Sequence, residues 1–251
     1  MKSNSLLDEV IEQSPDRRRF MQKPGAVTAV MGAASTLKGQ TTEITDVDIL
    51  QFALNLEYLE AEFYTVGVSG RTIDAFGVGI DGDGAMGPTT GDTRVIFNNS
   101  VPPAQGIMEE LAFDERAHVN LLRGALAAAG VKPVAKPAIN LSGIARILED
   151  VGVAAYTGAA PLISSKACLG VAAQILAVEA FHSGNIRLMV AQNRYNTAKL
   201  DGVDIPPPPT GSRLFASDDN ALSAVRTPAQ VLFLTYGLKE NATGGGFIQW
   251  A

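Results

Sequence analysis

The sequence predicts an all-α protein: an antiparallel four-helix bundle with a long crossover between helices 2 and 3, followed by a short C-terminal helix and a tail. Three observations predict this fold. The two histidines of the chain each follow a glutamate by three residues. Two other segments show helical periodicity around a glutamate. The spacing of these four glutamates matches helices that pack in pairs.

The Glu-x-x-His motif occurs twice, as Glu115 with His118 and as Glu179 with His182. On an α-helix, residues i and i+3 lie on one face about a turn apart, so a carboxylate and an imidazole can reach the same ion. Two such helices can bracket a pair of metal ions when two further helices each add a glutamate.

The first predicted helix, residues 46–68, places Glu57 in an apolar stripe. A carboxylate in such a stripe is costly unless it is paired, protonated or bound to metal. Glu57 is therefore the preferred ligand from this helix. Glu60 is nearly as well placed and is the alternative, whereas Glu62 is predicted to be peripheral.

The third predicted helix, residues 142–161, supplies Glu149. Tyr156 follows Glu149 by seven residues, as Tyr64 follows Glu57. The two tyrosines are predicted to donate hydrogen bonds to the ligands from outside, and core packing alone is the equal alternative.

An arginine follows the histidine of each motif by five residues, at Arg123 and Arg187. The chain therefore consists of two copies of one unit, a Glu…Tyr helix and a Glu-x-x-His…Arg helix. The arginines are predicted to neutralise outer carboxylates. In the plainer alternative they pair with the inward glutamates, and the histidines are hydrogen-bonded core residues.

The six matching positions favour metal binding over this alternative, because clustered carboxylates without cations repel one another. The predicted ligands are Glu57, Glu115, His118, Glu149, Glu179 and His182.

The spacings fit the bundle. The glutamates of predicted helices 3 and 4 are 30 residues apart, which suits two antiparallel helices of about four turns joined by a short turn. Those of helices 1 and 2 are 58 residues apart, and the excess falls in a Gly-rich insertion, residues 67–103, which is predicted to be loop. Residues 130–141 form the crossover and could extend up to roughly 40 Å.

Beyond the bundle, residues 201–217 are predicted to be a Pro-rich, extended linker. Residues 227–237 are predicted to form the short C-terminal helix, with a Thr cap and a Pro at the first position. The tail, residues 244–250, is predicted to be a packed strand or a cap on the bundle.

Residues 1–40 are predicted to be a disordered leader that does not belong to the fold. The run from Asp16 to Met21 resembles a twin-arginine export signal and is followed by an apolar stretch, residues 26–37. This stretch is too short to span a bilayer, so no membrane span is expected. We expect export to the periplasm or cell envelope, with a cytoplasmic protein as the alternative.

Several motifs in order carry a resemblance to a known family: LNLEYLEAEFY, FDERAHVNLLR, LEDVGVAAY, VEAFHSGNIR and RTPAQVL. Together they resemble the ferritin-like domain family that includes the plant desiccation-related proteins and their bacterial relatives. The likeness covers roughly residues 44–250 and implies one ferritin-like domain over residues 41–251 with a dinuclear iron or manganese centre. The resemblance does not by itself assign an enzymatic activity.

Charge and ligand chemistry narrow the function. The net charge of −6 and the pI near 5.0 argue against nucleic acid as a partner. Four carboxylates with two imidazoles suit two divalent iron or manganese ions. The predicted function is therefore an oxidoreductase that acts on oxygen or peroxide, catalase- or oxidase-like, in stress or desiccation defence. A non-catalytic stress protein that sequesters metal or acts as a scaffold is the alternative, and a mineral-storing shell ranks third. The oligomeric state is left open, a homo-oligomer included.

Overall fold

The computed structural model describes residues 44–91, 94–97, 104–141, 145–235 and 248–249. The predicted leader, residues 1–40, lies outside the described residues, as does most of the tail. Five α-helices make up most of the described chain, which confirms the all-α prediction. The helices are α1 (Asp46–Ser69), α2 (Ala104–Ala128), α3 (Ala145–Ala159), α4 (Lys166–Gln192) and α5 (Pro228–Thr235).

The first four helices form a bundle of two antiparallel pairs. In the first pair, Arg123 of α2 donates to the hydroxyl of Tyr58 in α1, and Arg116 donates to the hydroxyl of Thr65. The residue number of the partner in α2 falls as that in α1 rises, so the two helices are antiparallel. In the second pair, the hydroxyl of Ser183 in α4 donates to Asp150 in α3 over 2.7 Å. The chain from α2 to α3 supplies the predicted long crossover.

Local signals in the sequence explain where α1 begins and ends. Thr45 caps its first turn: its hydroxyl accepts from the backbone N–H of Asp48, and the Asp48 carboxylate accepts from the backbone N–H of Thr45. This reciprocal pair satisfies two N–H groups that no helix carbonyl can reach. Gly70 follows the last turn with a φ of 71°, a left-handed conformation in which a glycine avoids Cβ strain.

Two apolar clusters fill the bundle. Along α2, Leu111 belongs to one cluster and Val119 to the other; along α4, Ile186 and Ile175 are divided in the same way. The two Glu-x-x-His motifs lie between these positions in each helix. Buried acids and histidines therefore form a polar layer between two apolar layers.

The Gly-rich insertion and the crossover pair with each other, which the prediction of loop missed. Within the described residues, the insertion contains a 3-10 helix, Ile73–Phe76, and strand β1, Thr89–Thr90. Strand β1 runs parallel to β2, Ala138–Asn140, in the crossover, and β2 is antiparallel to β3, Ile248–Gln249. A small sheet thus joins insertion, crossover and tail, and it agrees with the packed strand predicted for the tail.

Glu62 holds this sheet against α1. Its side chain is fully buried, with one oxygen 3.5 Å from Nζ of Lys136. Glu62 thus pairs with a lysine of the crossover, which agrees with its low rank among the candidate ligands of α1, although the prediction did not foresee its burial. The other oxygen accepts from the backbone N–H of Ile73. Lys136 also donates to the carbonyl of Gly87 and the hydroxyl of Thr89. The periodicity of α1 could not show this role, because the covering layer comes from remote sequence.

The Pro-rich segment is held to the second helix pair by buried arginines. Arg187 of α4 donates to the carbonyls of Ile205, Arg213 and Leu214. Arg146 of α3 pairs with Asp204 at 2.9 Å. The segment therefore forms a cover over α3 and α4.

Among the described helices, only α4 is long and apolar enough to cross a membrane by length and composition. This is a weak indication of a span, because core helices pass the same test. Here α4 carries the buried Glu179 and His182 inside the bundle.

Candidate metal centre

The structure brings the six predicted ligands together in the polar layer of the bundle. Each of the four bundle helices contributes a glutamate, and α2 and α4 add the histidines. None of the six is more than 7% exposed. The residues are Glu57 from α1, Glu115 and His118 from α2, Glu149 from α3, and Glu179 and His182 from α4.

The six residues form two overlapping groups. Glu57, Glu115, His118 and Glu179 each offer one ligand atom, and all four atoms lie within 4.8 Å of one another. A second group of the same closeness contains Glu115, Glu149, Glu179 and His182. Glu115 and Glu179 belong to both groups. Each of these two glutamates could therefore donate to a cation held in either group.

Both histidines face the cluster with the Nδ1 atom. Nδ1 of His118 lies 3.2 Å from Glu57 and from Glu115, and 3.5 Å from Glu179. Nδ1 of His182 lies 2.8 Å from Glu115 and 3.4 Å from Glu149. Each imidazole thus reaches a glutamate of the other motif, as a two-fold repeat requires.

Many cluster atoms have no hydrogen bond. Within the described part of the chain, both carboxylate oxygens of Glu149 and of Glu179 lack a partner, and so does Nδ1 of His182. Nδ1 of His182 lies close to an oxygen of Glu115 that also lacks a hydrogen bond, so the two atoms converge without being aligned as donor and acceptor. Buried polar atoms are rarely left in this way. This buried set of carboxylate and imidazole donors therefore fits metal cations.

The pKa values of the carboxyl groups reflect crowding away from water. Burial raises the pKa of Glu115 to about 7. Burial and repulsion from Glu115 raise the pKa of Glu179 well above its ordinary value. Burial also acts on Glu57, but attraction to His118 outweighs it, and the pKa of Glu57 ends below its ordinary value.

The histidines respond in the opposite sense. Burial alone would lower both pKa values, but the neighbouring carboxylates outweigh it. Glu57 and the other nearby acids raise the pKa of His118 far above its usual range. The nearby carboxylates of Glu115 and Glu149 raise the pKa of His182 to about 11. The carboxylates around each imidazole thus favour a positive charge at that position.

Gly152 of α3 makes room for the acids, and sequence reasoning missed it. A Cβ on Gly152 would lie 2.7 Å from Oε2 of Glu179 and 3.2 Å from Oε1 of Glu60. Glu60, the alternative ligand of α1, thus lies beside the cluster but in neither group. Burial and repulsion from Glu179 raise the pKa of Glu60 well above its ordinary value.

The two tyrosines reach across from one half of the repeat to the other. The hydroxyl of Tyr156 in α3 donates a hydrogen bond to Oε1 of Glu57 in α1. Tyr64 of α1 is buried, and burial raises the pKa of its hydroxyl. The negative charge of Glu149 in α3 is the second cause of this increase. In the described residues the Tyr64 hydroxyl has no hydrogen-bond partner.

The repeat-related arginines have different partners. Arg187 binds Asp150, the neighbour of Glu149, over 2.7 Å, and thus neutralises an outer carboxylate. Arg123 instead binds Asp81 of the insertion, an exposed carboxylate 3.1 Å away. The two halves of the repeat are thus covered differently.

Asp114 is a further residue that sequence reasoning missed. Its Oδ2 atom lies 3.1 Å from Nε2 of His182, on the side of the imidazole that faces away from the cluster. Its position directly before Glu115 was the only available signal, because the partner is on another helix.

Comparison with known proteins agrees with this geometry. The model of the family described as "Ferritin-like domain" matches residues 45–192. The chain is 24% identical over 275 aligned residues to "Ferritin-like catalase Nec2" of Nesocodon mauritianus, covering 84% of this chain and 85% of that protein. It is 26% identical over 191 residues to "Desiccation-related protein PCC13-62" of Craterostigma plantagineum, covering 64% of this chain and 58% of that protein. These matches confirm the predicted resemblance, and the chain belongs to the ferritin-like domain family.

Proposed function

We propose that this protein is a dinuclear iron or manganese oxidoreductase that acts on peroxide or oxygen, with catalase-like turnover of peroxide as the leading activity. The observation that carries the proposal is the pair of ligand groups that share Glu115 and Glu179. The similarity to a protein named as a ferritin-like catalase supports the choice of peroxide.

The donor set indicates which metals suit the site. Glu57, Glu115, His118 and Glu179 would hold one ion; Glu115, Glu149, Glu179 and His182 would hold the other. Carboxylate and imidazole ligands favour hard or borderline ions such as manganese and iron over copper. When bound, two such ions supply the exchange of two electrons with peroxide.

Peroxide disproportionation also needs groups that move protons. One peroxide molecule is oxidised to O₂ and gives up two electrons and two protons, and a second takes up both to become two waters. Glu60 is suited to hold one of these protons, because its carboxyl group lies beside Glu179 at Gly152 and burial raises its pKa well above the ordinary value. A general acid or base near the reacting group typically contributes about 10²- to 10⁴-fold.

A small pocket beside the cluster supports the same use of Glu60. Glu60 and Gly152 line it together with apolar side chains of α1, α3 and α5, which include Leu56, Val151 and Leu234. A narrow, mostly apolar pocket with one carboxyl group in its wall favours a small neutral molecule. It offers little to a large or charged organic substrate.

Metal analysis of protein purified from its own host, followed by peroxide and oxygen assays, tests the proposal. The wild type should contain about two ions of iron or manganese per chain and should release oxygen from peroxide. His118→Ala with His182→Ala should lose metal and turnover but keep the fold, since the apolar layers supply most of the folding free energy. Asn185→Ala, an exposed change on α4, should behave as wild type. A double histidine variant that keeps both its metal and its turnover would contradict the proposal.

The alternative is a non-catalytic stress protein, and the similarity to a desiccation-related protein favours it as the second candidate. It predicts that the wild type binds metal without peroxide or oxygen turnover. It also predicts that the double histidine variant protects drying cells as well as wild type if the bundle acts as a scaffold.

A further inference from the structure

The two histidines differ at the nitrogen that faces away from the cluster. Nε2 of His182 lies 3.1 Å from Oδ2 of Asp114, whose side chain is 29% exposed. For His118, every carboxylate within 4.0 Å in the described residues contacts Nδ1. The outer nitrogen of His118 thus has no carboxylate partner in that part of the chain.

The sequence repeat accounts for the difference. Asp114 directly precedes Glu115, and the equivalent residue before Glu179 is Val178. The two Glu-x-x-His motifs therefore match in their ligands but differ in the residue before them. Across the α2–α4 pair, the aspartate of α2 can therefore contact the histidine of α4, but the valine of α4 cannot do the same for the histidine of α2.

A carboxylate on the outer nitrogen changes how an imidazole binds metal. It accepts the Nε2–H bond and so leaves the lone pair on Nδ1 free for the ion, and it also fixes the plane of the ring and makes it more basic. Loss of such a partner typically costs about 10- to 100-fold in metal affinity. Within the described parts of the chain, His118 receives no such help from a carboxylate.

We propose that the two metal positions are inequivalent: the position formed by Glu115, Glu149, Glu179 and His182 binds its ion more tightly and fills first. Asp114 is the positioning residue that makes the difference, acting through His182. This inference rests on the proposed metal centre and adds an order of loading to it.

Titration of the metal-free protein with Mn²⁺ tests the inference. Calorimetry should give two binding steps for the wild type, and electron paramagnetic resonance should show isolated Mn²⁺ at one equivalent and a coupled pair at two. Asp114→Asn keeps the shape but removes the charge; Asp114→Ala removes the contact. Both should weaken the tighter step about 10- to 100-fold and leave the weaker step nearly unchanged. Glu110→Gln, which removes an exposed carboxylate one turn earlier in α2, is the matched control and should leave both steps unchanged.

Other results separate failure of this inference from failure of the proposed function. If the wild type binds two ions and the Asp114 variants match it, or lose affinity equally in both steps, the inference is overturned alone. If the wild type binds no Mn²⁺ or Fe²⁺, the proposed function fails and this inference fails with it. Circular dichroism and thermal unfolding of each variant show that a loss of affinity is not a loss of fold.

Discussion

Replacing Gly152 by alanine should damage the metal site while it leaves the bundle folded. A Cβ at this position would lie 2.7 Å from Oε2 of Glu179. Ordinary van der Waals contact begins at 3.4 Å, so Glu179 must retreat by about 0.7 Å. Functional groups need to be held within about 0.5 Å of their working geometry. The displaced carboxylate is shared by both ligand groups, so both ions should be affected.

The cost to folding should be small for two reasons. The atom in the way is the end of a flexible side chain, so overpacking should lie at the lower end of the usual range of about 1 to 3 kcal/mol. Alanine also favours a helix interior over glycine by about 1 kcal/mol. The two terms nearly cancel, and the free energy of unfolding should change by less than about 2 kcal/mol. Affinity for Mn²⁺ should fall at least about tenfold, which corresponds to about 1.4 kcal/mol.

Gly184→Ala provides the matched control. Gly184 lies inside α4, and beyond the neighbouring backbone of its own helix nothing lies within 4 Å of an added Cβ, so alanine there should stabilise the helix and leave the site intact. Denaturant unfolding of the metal-free variants and Mn²⁺ calorimetry measure the two effects separately. If Gly152→Ala binds both ions as tightly as Gly184→Ala and wild type, Glu179 is not needed where the structure places it, and the reasoning fails.

Two further predictions concern charge. The metal-free protein should become less stable as pH rises from about 5 to 11, because folding raises the pKa of Glu115 from 4.5 to about 7 and that of His182 from 6.5 to about 11. A group with a raised pKa in the folded state stabilises that state fully at a pH below its unfolded pKa. The stabilisation is lost as the pH rises through the folded pKa, and for Glu115 it is on the order of 3 kcal/mol. Denaturant unfolding at several pH values after treatment with a chelator measures this, and a stability that rises over this range would refute it. Lys136→Met should cost about 3 to 5 kcal/mol, because it leaves the buried carboxylate of Glu62 unpaired. Lys132→Met, at an exposed pair with Asp83, should change stability little, and equal melting of the two variants would refute the role of Lys136.

The ligands could be predicted from sequence because their geometry is local to a helix. A glutamate and a histidine three residues apart share a face in any α-helix, and the repeat of Glu57 and Glu149 supplied the rest. The spacing of 30 residues between Glu149 and Glu179 fixed the antiparallel pairing in the second half. Each of these inferences depends on one helix or on a short connection.

The surroundings of the site could not be predicted because they depend on how helices approach one another. Gly152 of α3 affects the site because it lies close to Glu179 of α4. Asp114 of α2 affects it because it contacts His182, which is also on α4. The burial of Glu62 could not be foreseen, because its buried partner, Lys136, comes from the crossover. In each case the signal is a contact between segments remote in sequence, which periodicity within one helix does not contain.

The ligands follow the two-fold repeat of the sequence, but the segments that cover the two halves of the bundle do not. The insertion lies against α1 and α2 and is held by Arg123 and by the pair of Glu62 with Lys136. The Pro-rich segment lies against α3 and α4, where Arg187 binds both its carbonyls and Asp150. Since both ligand groups have the same composition, three glutamates and one histidine, their ligand sets give no reason to expect different metal affinities. We expect the difference to come from what touches the ligands from outside: in the described residues, Asp114 contacts the outer nitrogen of His182, and no carboxylate contacts that of His118.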